Sequence, residues 1–214
     1  MKYIIAGTGP AGVIAAETLR KVDPGAGILL IGDEPEPPYS RMAIPYLLSG
    51  GIDEAGTHLR KAKDHYQGLD IRVLQDRITA VSAEKHEVTL DSGKTESFDQ
   101  LLIATGASAV KPPVDGLDLP GVHHCWTLED ARNIARLAQS GSRVVLMGAG
   151  FIGCIILQSL ISRGVKLTVV EMEDRMAPKM MNDTAAELLK SWCQDKGVSV
   201  KTGIGVSKVT AADG

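Results

Sequence analysis

Residues 143–158 read RVVLMGAGFIGCIILQ, and residues 2–17 read KYIIAGTGPAGVIAAE. Each stretch is a short apolar run, three glycines in G-x-G-x-x-G spacing, and a second apolar run. The first run suits a buried strand, and the glycines let the chain turn at once into a helix. Gly7 and Gly148 permit the tight turn, and Gly9 and Gly150 let a ligand approach the backbone. Gly12 and Gly153 let helix and strand pack closely. The helices open at Pro10-Ala11 and at Phe151-Ile152. Their first N–H groups and positive dipole ends face the turn, an arrangement that suits a pyrophosphate.

A glycine turn of this kind is a weak signal alone. The check is an acid at the end of the next strand, about 20 residues on, placed to accept hydrogen bonds from ribose hydroxyls. Asp33 lies 21 residues past Gly12, with Glu34 next to it, and Glu171 lies 18 residues past Gly153. Asp33 is the first choice in the first copy because Gly32 has just ended the apolar run. Both copies pass, so two dinucleotide cradles are expected. A carboxylate at 171, followed by Glu173 and Asp174, repels a 2′-phosphate, which favours NADH over NADPH at the second cradle; Arg175 is the one residue against it.

Around these turns, strand and helix signals alternate. A helix over 11–22 and a strand over 28–31 complete a βαβ unit, which implies a parallel sheet. Strands are expected at IRVL (71–74), at EVTL and TESF around the turn Asp91-Ser92-Gly93, and at LLIATG. The run Leu101-Leu102-Ile103 suggests a strand buried on both faces. The Pro-rich stretch 33–51 cannot stay regular for long, and KPPVDGLDLPGV (111–122) reads as a stiff linker. A helix beginning at Thr127 precedes the second βαβ pattern, with strands over 143–147 and 166–171 and helices over 152–163 and 183–196. A strand-like GVSVKTGIGVSKVT follows. Asp213-Gly214 then signals a hairpin turn with no return strand, so the chain is expected to continue beyond the second domain's given part.

The composition is that of an ordinary globular chain: 214 residues, 44% hydrophobic and 23% charged, with a net charge of −3. No basic footprint for nucleic acid or an anionic membrane is present, and no apolar run reaches the ~18 residues of a membrane span. Cys125, Cys154 and Cys193 are scattered and odd in number, which favours a reducing cytoplasm over a disulfide framework. The five histidines, with His123-His124 in the linker, form no metal-ligand spacing, and no metal is expected.

Two cradles separated by LLIATGA (101–107) resemble the two-dinucleotide-domain flavoproteins of the FAD-dependent pyridine nucleotide-disulfide oxidoreductase superfamily. The segment PPYSRMAIPYLL (37–48) is similar to the P-Y-x-R-P-P-L-S-K segment of its ferredoxin, rubredoxin and nitrite reductase branch and of apoptosis-inducing factor. The resemblance implies an α/β fold of two Rossmann-like domains in three layers, for FAD over 1–113 and for NAD(P)H over 114–214, the second incomplete. FAD would take Gly7, Gly9, Pro10, Ala11, Gly12 and Asp33 or Glu34. Arg41 would face FAD phosphate or the flavin, Ile78 the adenine, and Ala104-Thr105-Gly106 would pass close to the flavin. NADH would take Gly148, Gly150, Phe151, Ile152, Gly153 and Glu171. Hydride would pass from NADH to FAD, and electrons onward to a small acceptor protein or acceptor domain such as a ferredoxin, a rubredoxin or a nitrite-reducing module. A homo-oligomer would form through a later interface domain. Because relatives also hold FAD through a later segment, the 214 residues alone are expected to hold it weakly or not at all. The alternative from another class is an NADH-sensing interaction protein like apoptosis-inducing factor.

Two departures from the pattern stand out. No Cys-x-x-x-x-Cys occurs, which argues against thiol–disulfide chemistry of the glutathione or lipoamide reductase type. Relatives carry a lysine and a glutamate as a charged pair beside the flavin–nicotinamide contact, and those positions here are Tyr46 and Ile155. Losing both ions together is coherent, since a buried carboxylate without its cation costs several kcal/mol. A more apolar nicotinamide pocket, with Tyr46 as its polar handle, is expected.

Overall fold

A computed structural model describes residues 1–211, so the Asp213-Gly214 turn signal lies outside the described residues. The chain divides into two compact units, one of Met1–Arg41 with Glu54–Ser108 and one of Met42–Asp53 with Ala109–Gly214.

The first unit is built on a parallel sheet of β1 (Lys2–Ala6), β2 (Gly27–Gly32), β3 (Ile71–Gln75) and β7 (Gln100–Ile103), in the order β3-β2-β1-β7. Side chains alternate across a strand, so β1 and β2 feed two cores at once. Ile5, Ile28 and Leu30 face α1 (Pro10–Val22) and pack with its Val13 and Ala16. Ile4, Leu29 and Ile31 face the other way, onto Val88 and Leu90. Those two belong to a three-stranded antiparallel sheet of β4 (Ile78–Ser82), β5 (Glu87–Leu90) and β6 (Thr95–Ser97). Three layers result: helix, parallel sheet, antiparallel sheet. A short α3 (His65–Gly68) leads into β3.

Strand β7 corrects the expectation of burial on both faces. Leu102 is 43% exposed and Ile103 65%. The strand lies at the sheet edge and pairs with β1 alone among the described strands, so its apolar run borders one neighbour instead of two.

The second unit centres on a parallel sheet in the order β10-β9-β8, made of β8 (Arg143–Met147), β9 (Lys166–Val170) and β10 (Ser199–Lys201). The register pairs Val144 with Leu167, Leu146 with Val169, and Val169 with Val200. All five sit on one face, over Leu157 and Leu160 of α5 (Phe151–Ser162) and Cys193 of α6 (Asp183–Asp195). On the other face Val145 is 65% exposed. The strand expected through GVSVKTGIGVSKVT reduces to β10; beyond it the chain is irregular apart from a bridge between Lys208 and Asp115.

Helix α4 (Leu128–Leu137) completes this unit. So does α2 (Ile44–Leu48), which comes from the Pro-rich excursion and packs here, where a contiguous division at 113/114 would not place it.

Candidate functional site

Among the described residues four helices exceed eight residues, and their N-termini fall into two kinds. Thr127 caps α4 in a reciprocal box with Asp130, and the Asn182 side chain caps α6 by accepting from the Ala185 N–H. Helices α1 and α5 begin at Gly9 and Gly150, in extended conformation and with no side-chain cap. The first N–H groups of a helix lack intrahelical partners. The two helices that follow the glycine turns are the two that leave those donors for something other than a side chain.

The turn geometry matches. Gly7 has φ +115, and a Cβ there would overlap the Ala104 carbonyl. A Cβ on Gly12 would strike the Gly7 carbonyl, and one on Gly153 the Gly148 carbonyl. By contrast, a Cβ on Gly9 or Gly150 would meet no atom within 4 Å. The middle glycines therefore border open space, while Gly7, Gly12 and Gly153 are fixed by packing and Gly148, with no atom near, by its φ of +94 alone. This donor set and cradle shape fit a dinucleotide pyrophosphate.

At the lip of the first turn the two acids differ. Asp33 has a side chain 54% exposed and lies 3.7 Å from the Arg77 guanidinium. Glu34 accepts from Tyr39 Oη at 2.6 Å and from Arg41 Nη2 at 2.8 Å. Arg41 also donates through Nη1 to the Ala107 carbonyl at 3.1 Å. Burial works against the Arg41 charge, but the hydrogen bonds it donates to Glu34 and Tyr39 outweigh it and hold its pKa above the usual value. Ala104 packs at the edge of the α1 core, and Gly106 has φ +71. Ile78 opens β4 and packs against the second core, at a bulge in the β4–β5 ladder.

The second turn is closed by its own acid. Glu171 is only 8% exposed, and its Oε2 accepts from the Ala149 N–H at 2.6 Å. Its Oε1 accepts from the Glu173 N–H at 2.9 Å. Each carboxylate oxygen has a second lone pair, so both keep acceptor capacity. Arg175 donates to Asp174 at 2.9 Å and lies 3.4 Å from Asp183. Phe151 and Ile152, in the first turn of α5, are 54% and 44% exposed.

Tyr46 and Ile155 lie in the same unit, on α2 and α5. Tyr46 is 64% exposed and Ile155 half-buried. What fastens α2 to α5 is a pair of residues with no motif. Ser159 Oγ donates to the Pro45 carbonyl at 2.8 Å, and Arg163 Nη1 to the Leu48 carbonyl at 2.9 Å. Arg163 also donates to the carbonyls of Ala135 and Ala138, at the end of α4. Their partners include carbonyls more than a hundred positions away, which leave no trace in local sequence.

The three cysteines are free, and burial pushes each thiol up, Cys125 and Cys193 to about 11. Among the described residues no group of three or more His, Cys, Asp or Glu is arranged to hold a metal ion. Nor is any described helix long and apolar enough to cross a membrane.

Residues 1–214 match the family of pyridine nucleotide-disulphide oxidoreductases, and the chain belongs to that family. A probable ferredoxin reductase of Castellaniella defragrans is 31% identical over 214 residues, covering all of this chain and 52% of the relative. Rhodocoxin reductase of Rhodococcus erythropolis is 32% identical over 219 residues, covering all of this chain and 50% of the relative. Among solved structures, a ferredoxin reductase of Rhodopseudomonas palustris superposes with a TM-score of 0.91 at 28% identity, over 99% of this chain and 52% of that one. Putidaredoxin reductase, in covalent complex with putidaredoxin, gives 0.91 at 26%, with the same coverage. The chain spans about half the length of the curated relatives it matches. The α/β architecture of two Rossmann-type units is that of these reductases.

Proposed function

We propose that this chain carries the FAD and NADH sites of a flavoprotein oxidoreductase that takes hydride from NADH and passes electrons to a small acceptor protein. The observation that carries the proposal is the pair of uncapped helices, α1 and α5, each opening on a glycine turn whose middle glycine faces open space.

In this reading FAD lies across Gly7, Gly9, Pro10, Ala11 and Gly12, with Asp33 at the ribose and Arg41, Ile78 and Ala104-Thr105-Gly106 around the rest. NADH lies across Gly148, Gly150, Phe151, Ile152 and Gly153, with Glu171 at its ribose. FAD supplies the hydride-accepting ring; the protein supplies orientation and electrostatics. The backbone N–H groups of α1 and α5 bind phosphates, and the turn glycines admit them. Glu171 supports NADH over NADPH, because its buried carboxylate sits against the turn where a 2′-phosphate would bring like charge. Arg175, four residues past Glu171 and the residue that would favour a phosphate there, is engaged by Asp174 and Asp183.

The acceptor is inferred from the names of relatives, which include reductases of rubredoxin and ferredoxin. Three free cysteines with raised pKa values suit electron transfer without a thiol relay, and a reducing cytoplasm as the setting. Domain roles follow the units: FAD in the first, NADH in the second.

Calorimetric titration tests the second site. Glu171→Ala is expected to weaken NADH binding about tenfold, roughly 1.4 kcal/mol, and to narrow the NADH/NADPH preference. An unchanged dissociation constant removes Glu171 from the site.

A sensor that is reduced slowly is the second reading, favoured by the absence of the relatives' charged pair at Tyr46 and Ile155. Rapid flavin bleaching by NADH, followed by turnover with an added acceptor, distinguishes the enzyme from the sensor.

A further inference from the structure

The two adjacent acids at the first cradle invite an assignment that sequence spacing leaves open. We propose that Glu34 is a positioning residue: it holds the Arg41 guanidinium at the lip of the FAD cradle and takes no ribose hydroxyl itself, a task that falls to Asp33. This rests on the reading of the first cradle as an FAD site.

Both carboxylate oxygens of Glu34 are held by side chains of the first unit; each keeps a lone pair, as in Glu171, but the two bonds tie the carboxylate to Arg41 and Tyr39 instead of to the backbone of the turn. One accepts from Arg41 Nη2 at 2.8 Å and the other from Tyr39 Oη at 2.6 Å. Its side chain is 25% exposed, against 54% for Asp33. The Asp33 carboxylate is the more open of the two. Its ionic neighbour, Arg77, is 3.7 Å away on a side chain 71% exposed, a contact that solvent weakens.

Arg41 in turn spans two loops. Glu34 belongs to the loop after β2, and the Ala107 carbonyl that accepts from Arg41 Nη1 belongs to the loop after β7. Strands β2 and β7 are the two neighbours of β1, the strand that ends in the glycine turn. The guanidinium thus ties together the two walls of the crevice at the carboxyl ends of the strands, where open α/β sheets bind ligands. A planar guanidinium held at two points has its plane fixed, and its charge-assisted bonds are the strong kind. Tyr39 holds the second oxygen of Glu34, so the carboxylate cannot swing away from Arg41 without giving up a short hydrogen bond.

The test is a double-mutant cycle on the full-length protein that contains this chain, stripped of flavin and titrated with FAD by fluorescence quenching. Glu34→Gln is expected to weaken FAD binding about tenfold, and Arg41→Ala by at least as much. In the Arg41→Ala background, Glu34→Gln is expected to add nothing, because its effect runs through Arg41. Where Arg41→Ala does not fold, Arg41→Gln serves as the background, with the same expectation. If Glu34→Gln weakens binding by the same factor in both backgrounds, Glu34 meets FAD directly and the proposal is wrong. It is equally wrong if Glu34→Gln leaves FAD binding unchanged, or if Asp33→Asn does. Native protein that takes up no FAD overturns the function assigned to the first cradle, a failure distinct from the others.

Discussion

At the scale of the residue, the six glycines of the two turns differ in what fixes them: a backbone carbonyl faces Gly7, Gly12 and Gly153, a φ of +94 alone holds Gly148, and Gly9 and Gly150 border open space. Gly7→Ala forces a side chain into φ +115 and into the Ala104 carbonyl, and a backbone carbonyl cannot step aside as a flexible side chain would. Its expected outcome is a loss of about 3 kcal/mol or more of stability, read by denaturant unfolding. Gly9→Ala places its methyl in open space at ordinary φ, so the unliganded melting temperature is expected to stay within about a degree or two. FAD binding is expected to fail in that variant, since the methyl fills the ground where the phosphates would lie. If both variants melt alike, the division is wrong. The glycines and their acids were legible in sequence because each obeys a spacing rule that a one-dimensional pattern can express. Glu34 was not separable from Asp33 that way: the difference lies in Tyr39 and Arg41 closing back on one carboxylate and not on the other.

At the scale of the element, strands and helices were legible where apolar periodicity was strong, as in β1, α1, β8 and α5. The exception was β7, whose apolar run resembles a central strand although it borders one. Composition reports how apolar a strand is, whereas its place in the sheet decides what the apolar side chains touch. Two elements are held by charged groups that no motif announces. Glu17 on α1 receives Arg60 through both guanidinium arms, at 2.7 and 2.6 Å, and His65 at 2.8 Å. The Arg60 hydrogen bonds, followed by those of His65, hold the Glu17 carboxyl below its usual range despite burial. A depressed carboxylate contributes stability above its unfolded pKa, about 4.3, and loses it as pH falls through the folded value. Native protein should therefore lose stability below about pH 4.3 more steeply than Glu17→Gln, which starts about 1–3 kcal/mol lower at pH 7. Parallel acid-unfolding curves would remove Glu17 from that role.

The other such group is Arg163, which gathers carbonyls from α2 and α4. Arg163→Ala is expected to free the excursion at 42–53, with faster limited proteolysis around Ser49-Gly50-Gly51 and about 2–4 kcal/mol lost. Ser159→Ala removes one neutral hydrogen bond and should cost about 1 kcal/mol.

At the scale of the whole molecule, order along the chain and order in space part company. Residues 42–53 interrupt the first unit in sequence yet pack in the second. Cutting between Ser108 and Ala109 would therefore not separate two complete bodies. The stretch 109–214 made alone would expose the faces of α4 and α5 that α2 covers. It is expected to melt well below the intact chain, and a peptide of residues 42–53 added in trans should raise its melting temperature in a concentration-dependent way. No shift at millimolar peptide would mean that the excursion merely rests on the second unit.

That interleaving also sets a clock on synthesis. The first unit needs only residues up to Ser108, and it can close around its helix and two sheets as soon as they leave the ribosome. Its excursion cannot. The face that receives α2 begins with α4 at Leu128 and is completed by α5 from Phe151, roughly a hundred residues after α2, about 5–20 s at ordinary elongation rates. Throughout that interval Ile44 and Leu48, both buried in the finished fold, stand out from a nascent chain that is otherwise ready to fold. A chaperone that binds short apolar segments would meet this protein there, at one predictable place and for a predictable time.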